Sequence, residues 1–156
     1  MHKSAIAALL IISVIFLGAG AGSAQAPAFS AETDTQRFIG SWRAVNPDQL
    51  GIMIYDNVGN MAVQVMPLRE RKKFAGAQPT PDEAKDAITG YLAYFGSYTV
   101  DEAAHTITHH RKGSVNPGLV GQDAVRRYTF ATDDRLILVP VESGNQIIWE
   151  RFKDHL

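Results

Sequence analysis

The sequence predicts an all-β domain, an eight-stranded antiparallel up-and-down barrel with one short helix between the third and fourth strands. Between positions 41 and 152, eight short runs rich in β-branched and aromatic residues alternate with turn residues. Most connections are too short to cross a sheet, so neighbouring strands should be antiparallel. Closing eight such strands into a barrel removes the exposed edges of an open sheet.

The first 24 residues are typical of a secretory signal peptide. His2 and Lys3 form a basic end, an apolar run extends from Ala5 to about Leu17, and small residues follow as far as Ala24. Cleavage after Ala24 gives a periplasmic or secreted protein. The alternative is an uncleaved membrane anchor, because this segment is almost long enough to span a bilayer.

The remaining chain is predicted to contain a linker, residues 25–36, and one barrel domain, residues 37–156. About 130 residues are enough to bury a core. The chain has no cysteine, so neither a disulfide nor a lipid-modified cysteine is expected. Acidic and basic residues are nearly balanced, 16 against 15, which argues against a general binder of nucleic acid or membrane surfaces. The basic run Arg69–Lys73 is interpreted as a solvated loop.

The elements follow in order along the chain. Asn57, Val58 and Gly59 predict a tight hairpin between the second and third strands. Thr80 as N-cap, followed by Pro81 and with Glu83 three residues after the cap, predicts a helix from Pro81 towards Tyr91 or Tyr94. The predicted strands are 41–45, 52–56, 60–66, 96–100, 105–111, 124–131, 135–140 and 146–152.

Several motifs carry a resemblance to a known family. "FIGSWRAV" contains a Gly-x-Trp motif, Gly40 and Trp42, and "IIWER" places Arg151 on the last strand. "YDNVGNMAVQVM", "GYLAYFGSYTVDE" and "ITHHRKGSVNPGLVGQDAVRRY" occur between them in the same order. With these motifs the chain resembles the lipocalin-like domain family of bacterial and fungal barrel proteins. The resemblance implies a lipocalin-like barrel in which Arg151 packs across Trp42 and closes one end.

Physical chemistry supports that closure independently, because a guanidinium over an indole face is stabilising. The alternative role for Arg151 is binding of an anionic ligand. Structural closure by Gly40, Trp42 and Arg151 is the favoured interpretation, because an arginine stem and an indole pack well together.

His109 and His110 are adjacent, so on a strand they point to opposite faces. His109 shares a face with apolar Ile107 and is therefore expected inside the barrel. It is either a hydrogen-bonded wall residue or an acid–base group. No metal site is predicted, because His105 and His109 would lie about 13 Å apart on an extended strand. No cofactor is predicted either.

Arg126 alternates with Arg127 in the same way and shares a face with Tyr128 and Phe130. A fixed positive charge beside aromatic surface suits an apolar ligand that bears a carboxylate or a polarised carbonyl. The alternative is that both arginines lie outside or are paired with carboxylates. Further candidate ligand-binding residues are Tyr55, Gln64, Tyr98 and Tyr128, although Gln64 could equally face solvent.

Three functions remain open on the sequence. The leading hypothesis is an exported barrel that binds a small apolar or carboxylated molecule. The second is a cofactor-free isomerase, cyclase or lyase in which His109 is the acid–base group and Arg126 stabilises an oxyanion. The third is an accessory envelope protein with a packed interior. A hydrolase is not favoured, because no Gly-x-Ser-x-Gly motif surrounds Ser114. An empty, polar-lined cavity would favour the first two, whereas a filled interior would favour the third.

Overall fold

A computed structural model describes residues 32–153 of the chain. They form a closed barrel of eight antiparallel strands in which each strand pairs with the next and the last pairs with the first. The predicted barrel is therefore confirmed. The predicted signal peptide and most of the linker lie outside the described residues. The strands are β1 (Gly40–Ala44), β2 (Gln49–Tyr55), β3 (Asn60–Pro67), β4 (Leu92–Asp101), β5 (Thr106–Ser114), β6 (Asp123–Thr132), β7 (Arg135–Pro140) and β8 (Ile147–Arg151).

Two α-helices accompany the strands. Helix α2 (Pro81–Ile88) lies between β3 and β4, and its N-terminus has the predicted capping box of Thr80 and Glu83. Helix α1 (Asp34–Phe38) begins where the sequence predicted a linker. Its capping box consists of Thr33 and Gln36, and its last residue is buried. A single 3₁₀ turn, Pro117–Leu119, interrupts the connection from β5 to β6.

The prediction that the helix continues to Tyr91 or Tyr94 was wrong. Helix α2 ends at Ile88, and Gly90 then adopts a positive φ of 77°, a conformation that breaks the helix and favours glycine. Strand β4 begins at Leu92, four residues earlier than predicted. Tyr94 thus belongs to a strand, on whose inner face it lies together with Tyr98.

The two ends of the barrel differ. Helix α1 precedes β1 at one end, called here the α1 end. Because neighbouring strands are antiparallel, the connections β1–β2, β3–β4, β5–β6 and β7–β8 all lie at the other end, which also carries α2 and is called the α2 end. Phe38 of α1 is fully buried and contacts the rings of Tyr55, Tyr128 and Phe130, so α1 closes its end of the barrel.

A β-bulge shapes the pairing of β4 with β5. The register shifts between Phe95 and Gly96, so that Gly96 pairs with Arg111 and Phe95 with Gly113. A Cβ atom at Gly96 would overlap the backbone carbonyl of His110, whereas one at Gly113 would meet the exposed ring of Phe95. The bulge therefore requires glycine at position 96.

Within residues 32–153, no helix combines the length and hydropathy needed to cross a membrane.

Candidate functional site

The strand alternation directs one histidine and one arginine inwards. His109 on β5 is 1% exposed, whereas His110 faces outwards and lies 2.8 Å from Asp123. Arg126 on β6 is partly buried and lies 3.2 Å from the His109 ring, whereas Arg127 is exposed. Neighbouring positions on each strand thus have opposite environments, as the pleat of a sheet requires.

His109 is the centre of a buried polar cluster. Its Nε2 atom lies 2.7 Å from the hydroxyl of Tyr55, and its Nδ1 atom lies 2.8 Å from the hydroxyl of Tyr94. Nδ1 also lies 3.2 Å from Nη1 of Arg126, which in addition donates to the carbonyl of Ala124. The contacts span four strands, β2, β4, β5 and β6.

The tautomer of His109 follows from these partners. A guanidinium can only donate, so Nδ1 must accept, and the ring proton is on Nε2. Tyr94 then also donates to Nδ1, while Nε2–H donates to the oxygen of Tyr55. The hydroxyl hydrogen of Tyr55 has no acceptor within residues 32–153. The cluster therefore has a spare donor on Tyr55.

Burial and charge keep the cluster neutral apart from Arg126. Burial, followed by the nearby guanidinium of Arg126, holds the pKa of His109 well below its ordinary value. Burial also raises the pKa of the Tyr55 hydroxyl well above its usual range, and it raises the pKa of Tyr94. At neutral pH His109 is thus an uncharged imidazole beside a cation.

Arg126 has no carboxylate partner within 4 Å among the described residues. Within residues 32–153 only its Nη1 atom is hydrogen-bonded, so in this part of the chain the Nε and Nη2 donors remain free for another group. A second guanidinium, that of Arg111, lies 5.7 Å from the centre of the Tyr94 ring, and Arg126 lies 5.8 Å from it. Arg111 donates to the backbone carbonyls of Gln122 and Asp123. The interior towards the α2 end is therefore positively charged.

A small cavity lies next to this cluster. Its volume is about 20 Å³, enough for one water-sized group and far below the roughly 300–1,000 Å³ of pockets that enclose a drug-sized ligand. It is lined by Met53, Val63, Val65, Leu92, Tyr94, His109, Arg126, Leu138, Pro140, Ile147 and Trp149.

The structure brings three of the predicted site residues together, namely Tyr55, His109 and Arg126. Tyr98 is adjacent, since its ring centre lies 4.8 Å from that of Tyr55, but its hydroxyl donates to the carbonyl of Asp56 and not into the cavity.

Two predicted residues lie elsewhere. Tyr128 is buried at the α1 end, where its hydroxyl donates to Asp34 of α1 over 2.8 Å. Gln64 is exposed on the outer face of β3 and accepts a hydrogen bond from Tyr91. It does not line the interior, because its neighbours Val63 and Val65 take the inward positions.

Sequence reasoning missed two residues of the site. Tyr94 was interpreted as part of a helix, although Leu92, Tyr94, Gly96 and Tyr98 alternate as a strand does. Trp149 was not singled out. It is 2% exposed, lines the cavity, and its Nε1 atom has no hydrogen-bond partner among the described residues.

Trp42, Gly40 and Arg151 meet at the α1 end. The guanidinium of Arg151 lies 4.2 Å from the Trp42 ring and donates to the backbone carbonyls of Ile39 and Arg37. Gly40 has a φ of 128°, and a Cβ there would lie 2.9 Å from Nη1 of Arg151. Arg151 is thus occupied by the protein itself and joins the first strand to the last.

A comparison with known families agrees with this architecture. The family model for the lipocalin-like domain matches residues 39–152, from the residue before β1 to the residue after β8. No curated protein is significantly similar to the chain in sequence. The closed eight-stranded barrel and the match over most of the chain lead to one conclusion: the chain belongs to the lipocalin-like domain family, whose barrel is a ligand-binding fold.

Proposed function

We propose that this protein binds a small, largely apolar molecule through a carboxylate or polarised carbonyl that is held by Arg126. The observation that carries the proposal is an inward guanidinium with free donors and no carboxylate partner among the described residues. A buried or half-buried charge without a counterion is costly. A ligand oxygen at this position would offset that cost with charge-assisted hydrogen bonds.

The cavity volume defines how such a ligand binds. About 20 Å³ accommodates an oxygen-bearing head group and not the whole molecule. The apolar body would extend towards the α2 end along Leu92, Pro140 and Ile147, which line the cavity and are only partly buried. The proposal is therefore a head-group site with an apolar channel above it.

Binding is favoured over the enzymatic alternative by the hydrogen bonds of His109. Both of its ring nitrogens are already engaged, by Tyr55 on one side and by Tyr94 and Arg126 on the other. Its lowered pKa also makes it a weak base near neutral pH. A packed accessory protein without a ligand fits the small volume of the cavity, about 20 Å³. It is the less favoured alternative, because a packed interior would not need an inward guanidinium that has no carboxylate partner among the described residues.

We also propose that the protein is exported to the periplasm or secreted, on the support of the N-terminal leader in the sequence. The N-terminal sequence of the mature protein from its own host should begin at or near Gln25. Membrane-bound protein that retains Met1 would contradict export with cleavage.

The binding proposal is tested with a fatty acid that carries a fluorophore at the end of its chain, so that its carboxylate is free. Arg126→Leu should abolish binding and leave thermal stability equal or slightly higher, because it removes an unpaired charge. Arg127→Leu, one residue away on the outer face, is the matched control and should bind normally. His109→Ala should weaken binding moderately. If Arg127→Leu abolishes binding and Arg126→Leu does not, the ligand binds outside the barrel.

A further inference from the structure

The chain contains two tryptophans, and their indole N–H groups are in opposite situations. Nε1 of Trp42 donates to the carbonyl of Phe38 over 2.8 Å. Nε1 of Trp149 is buried and donates to no group among residues 32–153. Most buried polar atoms in proteins have a hydrogen-bond partner, so an unpaired indole N–H in a wall of a cavity requires an explanation.

Other donors in or beside the same cavity are also unpaired among residues 32–153. Arg126, which lines the cavity, retains free guanidinium donors. Tyr55 does not line the cavity but contacts His109, which does, and with the His109 proton on Nε2 the hydroxyl hydrogen of Tyr55 lacks an acceptor. The acceptors of the cluster are largely used, because Nδ1 of His109 already receives two donors. The free hydrogen-bonding capacity is therefore mainly donating, and it includes a positive charge.

We infer that Trp149 is a ligand-binding residue whose N–H donates to the oxygen that Arg126 attracts, so that the site selects acceptor-only anionic head groups. This inference depends on the proposed function and specifies its chemistry. A carboxylate accepts from every donor present and matches the charge of Arg126. The hydroxyl hydrogen of an alcohol also needs an acceptor, and the phenolic oxygens of Tyr55 and Tyr94 are the acceptors that remain. An ammonium group is repelled by Arg126.

The ligand series that tests this selectivity has one chain length and three head groups: decanoate, decanol and decylamine. Decanoate should bind at least about tenfold more tightly than decanol, because the alcohol loses the charge-assisted bonds. Decylamine should not bind. Equal affinity for decanoate and decanol in calorimetric titrations would overturn the inference that the head group is selected by these donors.

The role of Trp149 is tested directly by NMR of protein labelled with ¹⁵N in tryptophan, which gives two indole N–H signals for the full chain. Saturating decanoate should move the Trp149 signal downfield as its N–H becomes hydrogen-bonded. The Trp42 signal is the internal control and should not move, since its partner is the backbone. Trp149→Phe, which keeps an aromatic ring without the N–H, should weaken decanoate binding about tenfold or more. Trp149→Phe also assigns the signals.

The outcomes separate the two proposals. If calorimetry detects decanoate binding and the Trp149 signal stays in place, the inference about Trp149 is overturned while the binding function stands. If neither heat nor a shift appears with decanoate, both are overturned. If Trp149→Phe does not fold, the shift measured in the unmodified protein still decides the question.

Discussion

Acidification should destabilise the fold through His109, and the direction of the effect follows from its surroundings. The folded-state pKa of His109 lies well below the ordinary histidine value of about 6.5, mainly because of burial and the adjacent Arg126. Between those two pKa values the unfolded chain binds a proton that the folded chain does not. The free energy of unfolding therefore decreases as the pH falls below 6.5. One proton contributes at most about 1.4 kcal/mol per pH unit, so this is the steepest decrease in the free energy of unfolding that His109 can cause.

Urea denaturation at pH 7, 6 and 5 measures this slope. His109→Gln should be less stable at pH 7 but should lose the His109 contribution to the slope, because glutamine does not titrate. His110→Gln, on the outer face beside Asp123, is the matched control for the loss of a histidine from the same strand. An unchanged slope in His109→Gln would show that His109 titrates normally and would contradict the neutral cluster. Titration of the His109 ring by NMR in the unmodified protein tests the same point without a variant: the ring should take up its second proton only at a pH well below the ordinary pKa of histidine.

Two further predictions concern the frame of the barrel. Trp42→Ala and Arg151→Ala should each lower the free energy of unfolding by about 1–4 kcal/mol, the tryptophan variant by more. Urea denaturation of both single variants and the double variant should show a coupling energy above about 0.5 kcal/mol. Additive losses would mean that the stacking of the two side chains contributes nothing. Gly96→Ala should cost more than about 3 kcal/mol because its methyl group meets the backbone of His110, whereas Gly113→Ala should cost about 1 kcal/mol because an exposed ring can move aside. Equal decreases in melting temperature for the two glycine variants would contradict the close approach of Gly96 to the backbone of His110.

The fold could be predicted from local sequence patterns, because the patterns of the individual strands and of helix α2 are all consistent with the barrel. Period-two alternation identified the eight strands, and Thr80, Pro81 and Glu83 marked the start of α2. Helix α1 was missed even though Thr33 and Gln36 form the same type of capping box. Five residues of helix carry too little periodicity to stand out from a polar linker.

The candidate site was predictable only where alternation alone decides the side-chain direction. That rule was sufficient to assign His109 and Arg126 to the inner face of the barrel, and their neighbours His110 and Arg127 to the outer face. It could not give the volume of the interior, because a cavity of about 20 Å³ depends on how eight strands of side chains interdigitate. Nor could it show that the indole N–H of Trp149 lacks a partner among residues 32–153, since hydrogen-bond partners come from strands distant in sequence.

The pairing of β1 with β8 has a consequence for how the chain folds during synthesis. All the other strand pairs join strands that are consecutive along the chain, so each of these hairpins can form as soon as its second strand emerges from the ribosome. Arg151, by contrast, bonds the carbonyls of Ile39 and Arg37 across separations of 112 and 114 residues. Contacts of such long range are slow to form because the intervening chain must first be ordered. A nascent chain that ends before β8 therefore remains an open sheet with two unpaired edges, and the barrel can close only once β8 has been synthesised.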